Sequence, residues 1–312
     1  MNGFLNILKP PGMTSAAVVA VVKRLTGEKR IGHAGTLDPE AAGVLPIMIG
    51  RATRLFDYLV DKEKAYVAEA AFGFATDTQD ATGVITESGD SYPTLAQVRA
   101  AADQLTGDIL QRPSMYSAIK QDGTPMYERA RRGEVVEVPL RQVHVESIDL
   151  HAETPRHGVL MTVRCGRGTY IRSICDDLGR LTGCPAHMRF LLRSQSGVFT
   201  LETAMTLEEA AVCRDAGTLG ERLLPLDWPL GHIRRVEVPA YLGKLVANGV
   251  KLPVKRVRGA DTMAQGDVAR VYLDDQFWGM AAREEDVLVW KCQMPPEAPL
   301  TPKEAVTDEN PS

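Results

Sequence analysis

Helix-like and strand-like segments follow one another through residues 1–228 without a repeating βαβ rhythm. That irregular order predicts an α+β (mixed α/β) domain in which helices flank a central, largely antiparallel sheet. Phe4 to Leu8 reads as a buried strand that Lys9-Pro10-Pro11-Gly12 breaks, and Thr14 or Ser15 can cap a helix carrying Val18, Val19, Val22 and Leu25 on one face. Gly43 to Ile49 is an apolar run, Thr53 to Val60 has helical spacing, and Tyr66 to Ala70 reads as a strand. Thr94 caps a helix to Leu105, a polar loop runs from Gln111 to Pro125, and Tyr127 to Arg132 is a short basic helix that Gly133 would end. Val143–Leu150 and Val159–Cys165 read as an antiparallel pair, and a helix carrying Ile171, Ile174, Cys175, Leu178 and Leu181 starts near Thr169.

At Trp228-Pro229 the pattern changes to short strands broken by glycine, including Val268–Leu273, Trp278–Ala282 and Val287–Trp290. The expected organisation is therefore a domain over 1–228, a small β-rich module over 229–294 and a disordered acidic tail over 295–312, since five prolines and no aromatic residue leave that tail little surface to bury. Two folded units suit 312 residues. The tail carries −3 of the net charge of −4. A nearly neutral body argues against a protein that coats nucleic acid indiscriminately, while leaving room for local basic stripes.

Five cysteines without a C-x-x-C pair and six unclustered histidines indicate neither a zinc site nor a disulfide framework. No signal-like N-terminus and no run approaching the roughly 18–20 apolar residues of a membrane span occur, which predicts a protein of the reducing cytoplasm with no membrane partner.

Gly32-His33-Ala34-Gly35-Thr36-Leu37-Asp38-Pro39 sets one acid on a loop. Its glycines permit unusual backbone angles and close ligand approach, and Pro39 biases Asp38 toward an extended conformation. A reactive carboxylate is presented this way, although Asp-Pro beside glycine is also an ordinary turn. Three further segments join it: Lys9-Pro10 with Gly12, Tyr66 on its strand, and Gly168-Thr169-Tyr170-Ile171-Arg172 at a helix start.

Together with Arg112-Pro113-Ser114-Met115-Tyr116-Ser117-Ala118-Ile119-Lys120 and Asp176-Asp177-Leu178-Gly179, these segments resemble the TruB family of bacterial tRNA pseudouridine synthases from Gly3 to about Arg193. Taken singly, Tyr66, Arg172, His33 and Lys9 each have an ordinary structural explanation, and their joint order carries the resemblance. It implies the pseudouridine synthase fold with a PUA-like C-terminal module, and isomerisation of uridine 55 in the tRNA T-loop without metal or cofactor. Asp38 would be the catalytic nucleophile, attacking the sugar or uracil C6 or serving an elimination through a glycal. Tyr66 would stack on the flipped base, with its phenol as a possible proton acceptor that a typical pKa near 10 makes demanding. Arg172 would pair with Asp38 and keep it ionised.

The same resemblance implies that His33 fills the space vacated by the target nucleotide, that Lys9 and Pro10 shape the pocket floor, that Tyr170 contacts substrate, and that Leu191 or Leu192 forms an apolar wall. Lys120, Arg129, Arg131 and Arg132, interleaved with Tyr116 and Tyr127, would contact the T-arm from an RNA-binding insert over about 94–135. The basic Lys251, Lys255, Arg256 and Arg258 leave the C-terminal module equally suited to RNA contact or to stabilisation. The expected assembly is a monomer on tRNA. A guide-RNA-dependent synthase is a rival, countered by the eight residues before Lys9, as is an RNA chaperone using the same cleft. The lack of a G-x-x-x-x-G-K-[ST] loop disfavours a phosphoryl-transfer enzyme.

Overall fold

The computed structural model of the chain describes residues 1–59, 63–116, 120–121, 124–126, 129, 132 and 138–296. Two compact units emerge, Met1–Pro229 and a second from Leu230 onward. The first holds strands β1 (Gly3–Lys9), β2 (Ile31–His33), β3 (Ala42–Ile49), β4 (Lys64–Phe72), β5 (Phe74–Thr76), β6 (Ile85–Ser88), β7 (Gly107–Gln111), β8 (Lys120–Gln121), β9 (Thr124–Pro125), β10 (Arg141–Thr154), β11 (Gly158–Cys165), β12 (Ala186–Ser196) and β13 (Phe199–Thr200). Among the described residues its α-helices are α1 (Ser15–Thr26), α2 (Leu95–Gln104), α3 (Ile171–Thr182) and α4 (Leu207–Asp215).

Among the described residues, nine strands form one sheet in the order β1-β3-β12-β4-β11-β10-β7, with β2 added to β3 and β13 to β12. Every pairing in it is antiparallel except β12 with β3, as a largely antiparallel sheet requires. That one parallel contact aligns Leu192 with Ala42 and Arg193 with Gly43. Gly43 has φ +117°, and a Cβ there would stand 2.2 Å from the Arg193 carbonyl oxygen, so only glycine lets the two strands approach.

Helix ends follow local chemistry. Thr14 accepts the Ala17 amide at 3.0 Å to start α1, and Thr94 and Gln97 form a reciprocal capping box at α2. α3 stops at Gly183, with φ +74°. Val98, Ala101 and Ala102 of α2 and Ile174, Cys175 and Leu178 of α3 bury against Ala68, Ala70, Met161 and Val163 of the sheet. Val18 and Val22 of α1 and Ala210 of α4 pack on Leu5, Ile7, Leu45 and Ile47. Each fully buried aliphatic side chain contributes about 1.5–3 kcal/mol.

Several expectations are corrected. The Thr53–Val60 segment is a 3-10 helix over Gly50–Tyr58; its start lacks a side-chain cap, and Thr53 Oγ1 bonds back three residues to the Gly50 carbonyl at 2.9 Å. Within residues 94–135, α2 packs on the main core and β7 pairs with β10 at the sheet edge. Gly32 takes an ordinary strand conformation, and the unusual angle belongs to Gly35 alone of the pair, at φ +98°. The expected basic helix at Tyr127–Arg132 and the tail from 297 lie largely or wholly outside the described residues.

The second unit holds α5 (Gly243–Ala247) and the strands β14 (Arg234–Glu237), β15 (Leu252–Pro253), β16 (Val268–Leu273), β17 (Gln276–Glu284) and β18 (Val287–Gln293). They form a curled sheet in the order β14-β16-β17-β18-β15 around Val236, Val246, Leu252, Val271, Ala281 and Leu288.

Candidate active site

Asp38 lies on the loop between β2 and β3, outside helix and strand. The Ala41 amide donates to the Asp38 carbonyl at 3.1 Å and closes a four-residue turn with Pro39 second, a position its fixed φ suits. Lys9, 0% exposed at the end of β1, donates from Nζ to the carbonyls of Pro10 (2.9 Å), Met13 (2.5 Å) and Pro39 (2.8 Å). Burial pulls its ammonium down to about 8, against the neighbouring charges of Glu40 and Asp38.

From the other side, the buried Arg193 of β12 donates to Val44 O (2.8 Å), Gly35 O (3.1 Å) and Thr36 O (3.4 Å). The Ser15 hydroxyl on α1 bonds both backbone groups of Leu37. Two buried cations and a buried hydroxyl thus fix the segment that carries the acid.

Arg172, in the first turn of α3, meets Asp38 in fork geometry: Nε to Oδ2 is 3.0 Å and Nη2 to Oδ1 is 3.3 Å. Its side chain is 5% exposed while that of Asp38 is 37% exposed, so the arginine is fixed and the acid faces the cleft. The remaining donors reach Thr78 O at 3.2 Å and Tyr116 O at 3.1 Å, and Asp80 Oδ2 stands 3.9 Å from Nη1. Burial pushes the Asp38 carboxyl above its ordinary range; Arg172 opposes this and Asp80 adds to it. Arg172 favours the ionised form, in the direction the pairing implies, while desolvation is the larger influence on the pKa.

The cleft encloses about 390 Å³, and Asp38, Tyr66, Tyr170, Arg172, Leu191 and Arg193 all line it. Tyr66 sits near the start of β4, opposite Val163 and Arg193. Burial raises its phenol above the usual value, with the Arg193 guanidinium working against the rise. Gln111 grips the Tyr170 backbone by accepting its N–H at 2.9 Å and donating to its carbonyl at 3.2 Å, which sets the entry into α3. Leu191, not Leu192, lines the cleft, because strand parity puts Leu191 and Arg193 on one face.

Other anticipated residues stand elsewhere. Lys9 and Pro10 do not line the cleft; Lys9 is sealed behind the loop because its three acceptors are backbone carbonyls there. His33 on β2 is also absent from the lining, with a buried, unpartnered Nδ1, and burial lowers its pKa and favours the neutral ring. Arg129 is half-buried and Arg132 exposed; the Lys120 side chain and the whole of Tyr127 and Arg131 lie outside the described residues.

Sequence reasoning passed over Asp80 and Arg193. Asp80 reaches Arg172 because a bridge to Met188 ties its turn to β12, a tertiary pairing that no local pattern announces. Arg193 was legible by parity, two residues beyond Leu191. Among the described residues, no group of three or more His, Cys, Asp or Glu could hold a metal ion, and no helix is long and apolar enough to cross a membrane.

A family model for the TruB family pseudouridylate synthase N-terminal domain matches residues 23–171, and one for the tRNA pseudouridylate synthase B C-terminal domain matches 172–231. The chain is 42% identical over 292 residues to tRNA pseudouridine synthase B of Alkaliphilus oremlandii, covering 92% of this chain and 95% of that one. It is 45% identical over 258 residues to tRNA pseudouridine synthase B of Symbiobacterium thermophilum, covering 82% and 84%. Among solved structures, a Cbf5-Nop10-Gar1 complex aligns with TM-score 0.72 and 26% identity over 94% of this chain and 85% of that one.

Proposed function

The chain belongs to the TruB family of pseudouridylate synthases, and from that membership we propose that it isomerises a uridine of tRNA to pseudouridine. The observation that carries the reading is the Asp38 carboxylate, gripped by Arg172 and facing a cleft walled by Tyr66 and Leu191. The bond between the ribose carbon and N1 breaks, the uracil turns, and C5 bonds to the same carbon; N1 gains a proton and C5 loses one. Asp38 is the catalytic carboxylate on either route, by addition to the sugar or uracil or by elimination through a glycal. Arg172 orients it.

Uridine 55 of the T-loop is the target. A stacked base must first leave its loop, at a cost of a few kcal/mol, and stacking on the Tyr66 ring offsets part of that cost. Burial disfavours a phenolate at Tyr66, which supports stacking over proton acceptance. His33 enters the vacated space in the RNA, Tyr170 and Leu191 contact the flipped nucleotide, and Lys120, Arg129 and Arg132 contact the T-arm. Lys9 and Pro10 act through the loop that holds Asp38. Residues 1–228 form the catalytic domain and 229–294 a PUA-like module. The enzyme acts as a cytoplasmic monomer.

Incubating the protein with unmodified T-arm RNA and mapping modified uridines chemically tests this. Wild type should modify the single T-loop uridine, and Asp38→Ala should modify none. Modification elsewhere would overturn the position and leave the chemistry; no modification by wild type would overturn both.

A further inference from the structure

The turn between β5 and β6 closes on itself through its own side chains. Thr76 Oγ1 donates to the Asp80 carbonyl at 2.6 Å, and Thr78 Oγ1 and the Thr82 amide donate to Asp80 Oδ1 at 2.8 and 3.0 Å. Gln79 instead points its carboxamide outward, to α3. Its Nε2 donates to Asp176 Oδ2 at 3.2 Å, and its Oε1 accepts from the Ser173 hydroxyl at 3.0 Å, a proton that Ser173 shares with the Arg112 carbonyl at 3.1 Å. Ser173 is wholly buried and the Asp176 side chain is 19% exposed, so both bonds lie in poorly hydrated surroundings.

Gln79 makes these bonds from a backbone that glutamine rarely adopts, at φ +63°. Its amide donates to Thr76 O at 3.1 Å and its carbonyl accepts the Met188 amide at 3.0 Å, so the main chain is held there from both sides. A left-handed residue other than glycine persists where its surroundings over-determine it, and such residues gather at working sites. The neighbours of Gln79 both meet Arg172. The Thr78 carbonyl accepts from Nη1 at 3.2 Å, and Asp80 Oδ2 lies 3.9 Å from the same nitrogen. Ser173 and Asp176, which the carboxamide grips, stand one residue and one helical turn beyond Arg172 on α3.

We infer that Gln79 is a positioning residue: its carboxamide clamps the turn to α3, so that Thr78 and Asp80 aim the Arg172 guanidinium at Asp38. This rests on the function proposed above, and it gives Asp176, of the Asp176-Asp177-Leu178-Gly179 segment, a part there as the acceptor of the clamp. Without the carboxamide the turn keeps its internal bonds and its bridge to β12, but α3 no longer fixes where Thr78 O stands against Arg172. A misaimed guanidinium keeps its charge and misplaces the acid, so the chemical step suffers while RNA binding does not.

Gln79→Gly removes the clamp and suits the backbone, since glycine takes a positive φ freely. On unmodified T-arm RNA it should lose about tenfold in single-turnover rate with Kd unchanged. Gln79→Glu should lose as much, because it sets two carboxylates against each other with no donor between them. Adding Asp176→Asn to Gln79→Glu reverses donor and acceptor and should recover most of the rate. Carbon-13 NMR of the Asp38 carboxyl, assigned by its absence from Asp38→Asn, gives a readout that needs no turnover. Arg172 and Lys9 pull that titration down and Asp80 pushes it up, with Arg172 the largest of the three charges. Slackening the turn should therefore move the midpoint to higher pH in Gln79→Gly. A wild-type rate and midpoint in Gln79→Gly, a loss confined to Kd, or a double variant no faster than Gln79→Glu would overturn the clamp. The NMR shift beside a wild type that modifies no uridine would overturn the proposed function and leave the clamp standing.

Discussion

Arg172 holds both oxygens of Asp38, with Nε 3.0 Å from Oδ2 and Nη2 3.3 Å from Oδ1, and the same guanidinium lies 3.9 Å from Asp80. One buried cation thus stands between two carboxylates, and neither acid sits on the helix that carries the arginine. Its other hydrogen bonds, to Thr78 O and Tyr116 O, leave it little freedom to turn. A fork of this kind fixes direction as well as charge, which a point-like ammonium cannot do.

Arg172→Lys should therefore lower the single-turnover rate on T-arm RNA about 100-fold or more with little change in RNA affinity, since it keeps the charge and loses the orientation. Asp38→Asn should abolish turnover and retain binding. Rapid-quench kinetics beside filter binding separates the two quantities; a lysine variant with near wild-type rate would show that charge alone suffices.

The pH profile follows from the raised Asp38 pKa. In the proposed mechanism the carboxylate is the reacting form, so the rate should fall as pH drops through the folded-state pKa. The folded chain binds this proton more tightly than the unfolded chain, so ionised Asp38 costs stability at neutral pH, and acidification through that pKa removes the cost. Burial is the largest cause of the rise and the Asp80 charge contributes. Asp80→Asn should move the acidic limb of single-turnover rate against pH to lower pH. A limb that stays put or moves upward would mean that Asp80 acts on Arg172 alone.

Much of this was written locally in the chain. The Thr94 capping box and the strands of the second unit follow from residues within a few positions of one another. β12 was harder to read, because Arg189 and Arg193 interrupt its apolar pattern although both find partners in the fold, Arg189 at Glu69 and Arg193 at the loop carbonyls of Gly35 and Thr36. The Asp38–Arg172 pair came from resemblance, and its distances span 134 residues of sequence. Asp80 was invisible for the same reason, and the resemblance put Lys9 at the pocket floor, whereas its three backbone acceptors hold it behind the loop.

Gly43→Ala tests the seam between β3 and β12. The added Cβ would meet the Arg193 backbone oxygen at 2.2 Å and nitrogen at 2.6 Å, at a φ of +117° that side chains resist. The loss should be about 2–4 kcal/mol, read as a fall in denaturant midpoint, with activity falling further because Arg193 positions the loop before Asp38. A variant of unchanged midpoint would show that the strands separate freely there.

Lys9→Met tests the other side of the same loop. Methionine fills similar space but leaves the carbonyls of Pro10, Met13 and Pro39 without their donor, and each unsatisfied buried group costs about 1–3 kcal/mol. Since methionine also spares burial of a charge, a net loss of about 3 kcal/mol is expected, a fall of roughly 6–12 °C in the Tm of a unit this size. The pH dependence gives a second signature. Lys9 titrates near 8 in the folded chain against an ordinary 10.5, so between those values the unfolded chain binds more protons and wild-type stability gains with rising pH. That gain should be missing from Lys9→Met, so the gap between the two proteins should widen from pH about 8 to 10.5 in urea melts. A constant gap would mean that the three carbonyls hold the ammonium charged throughout.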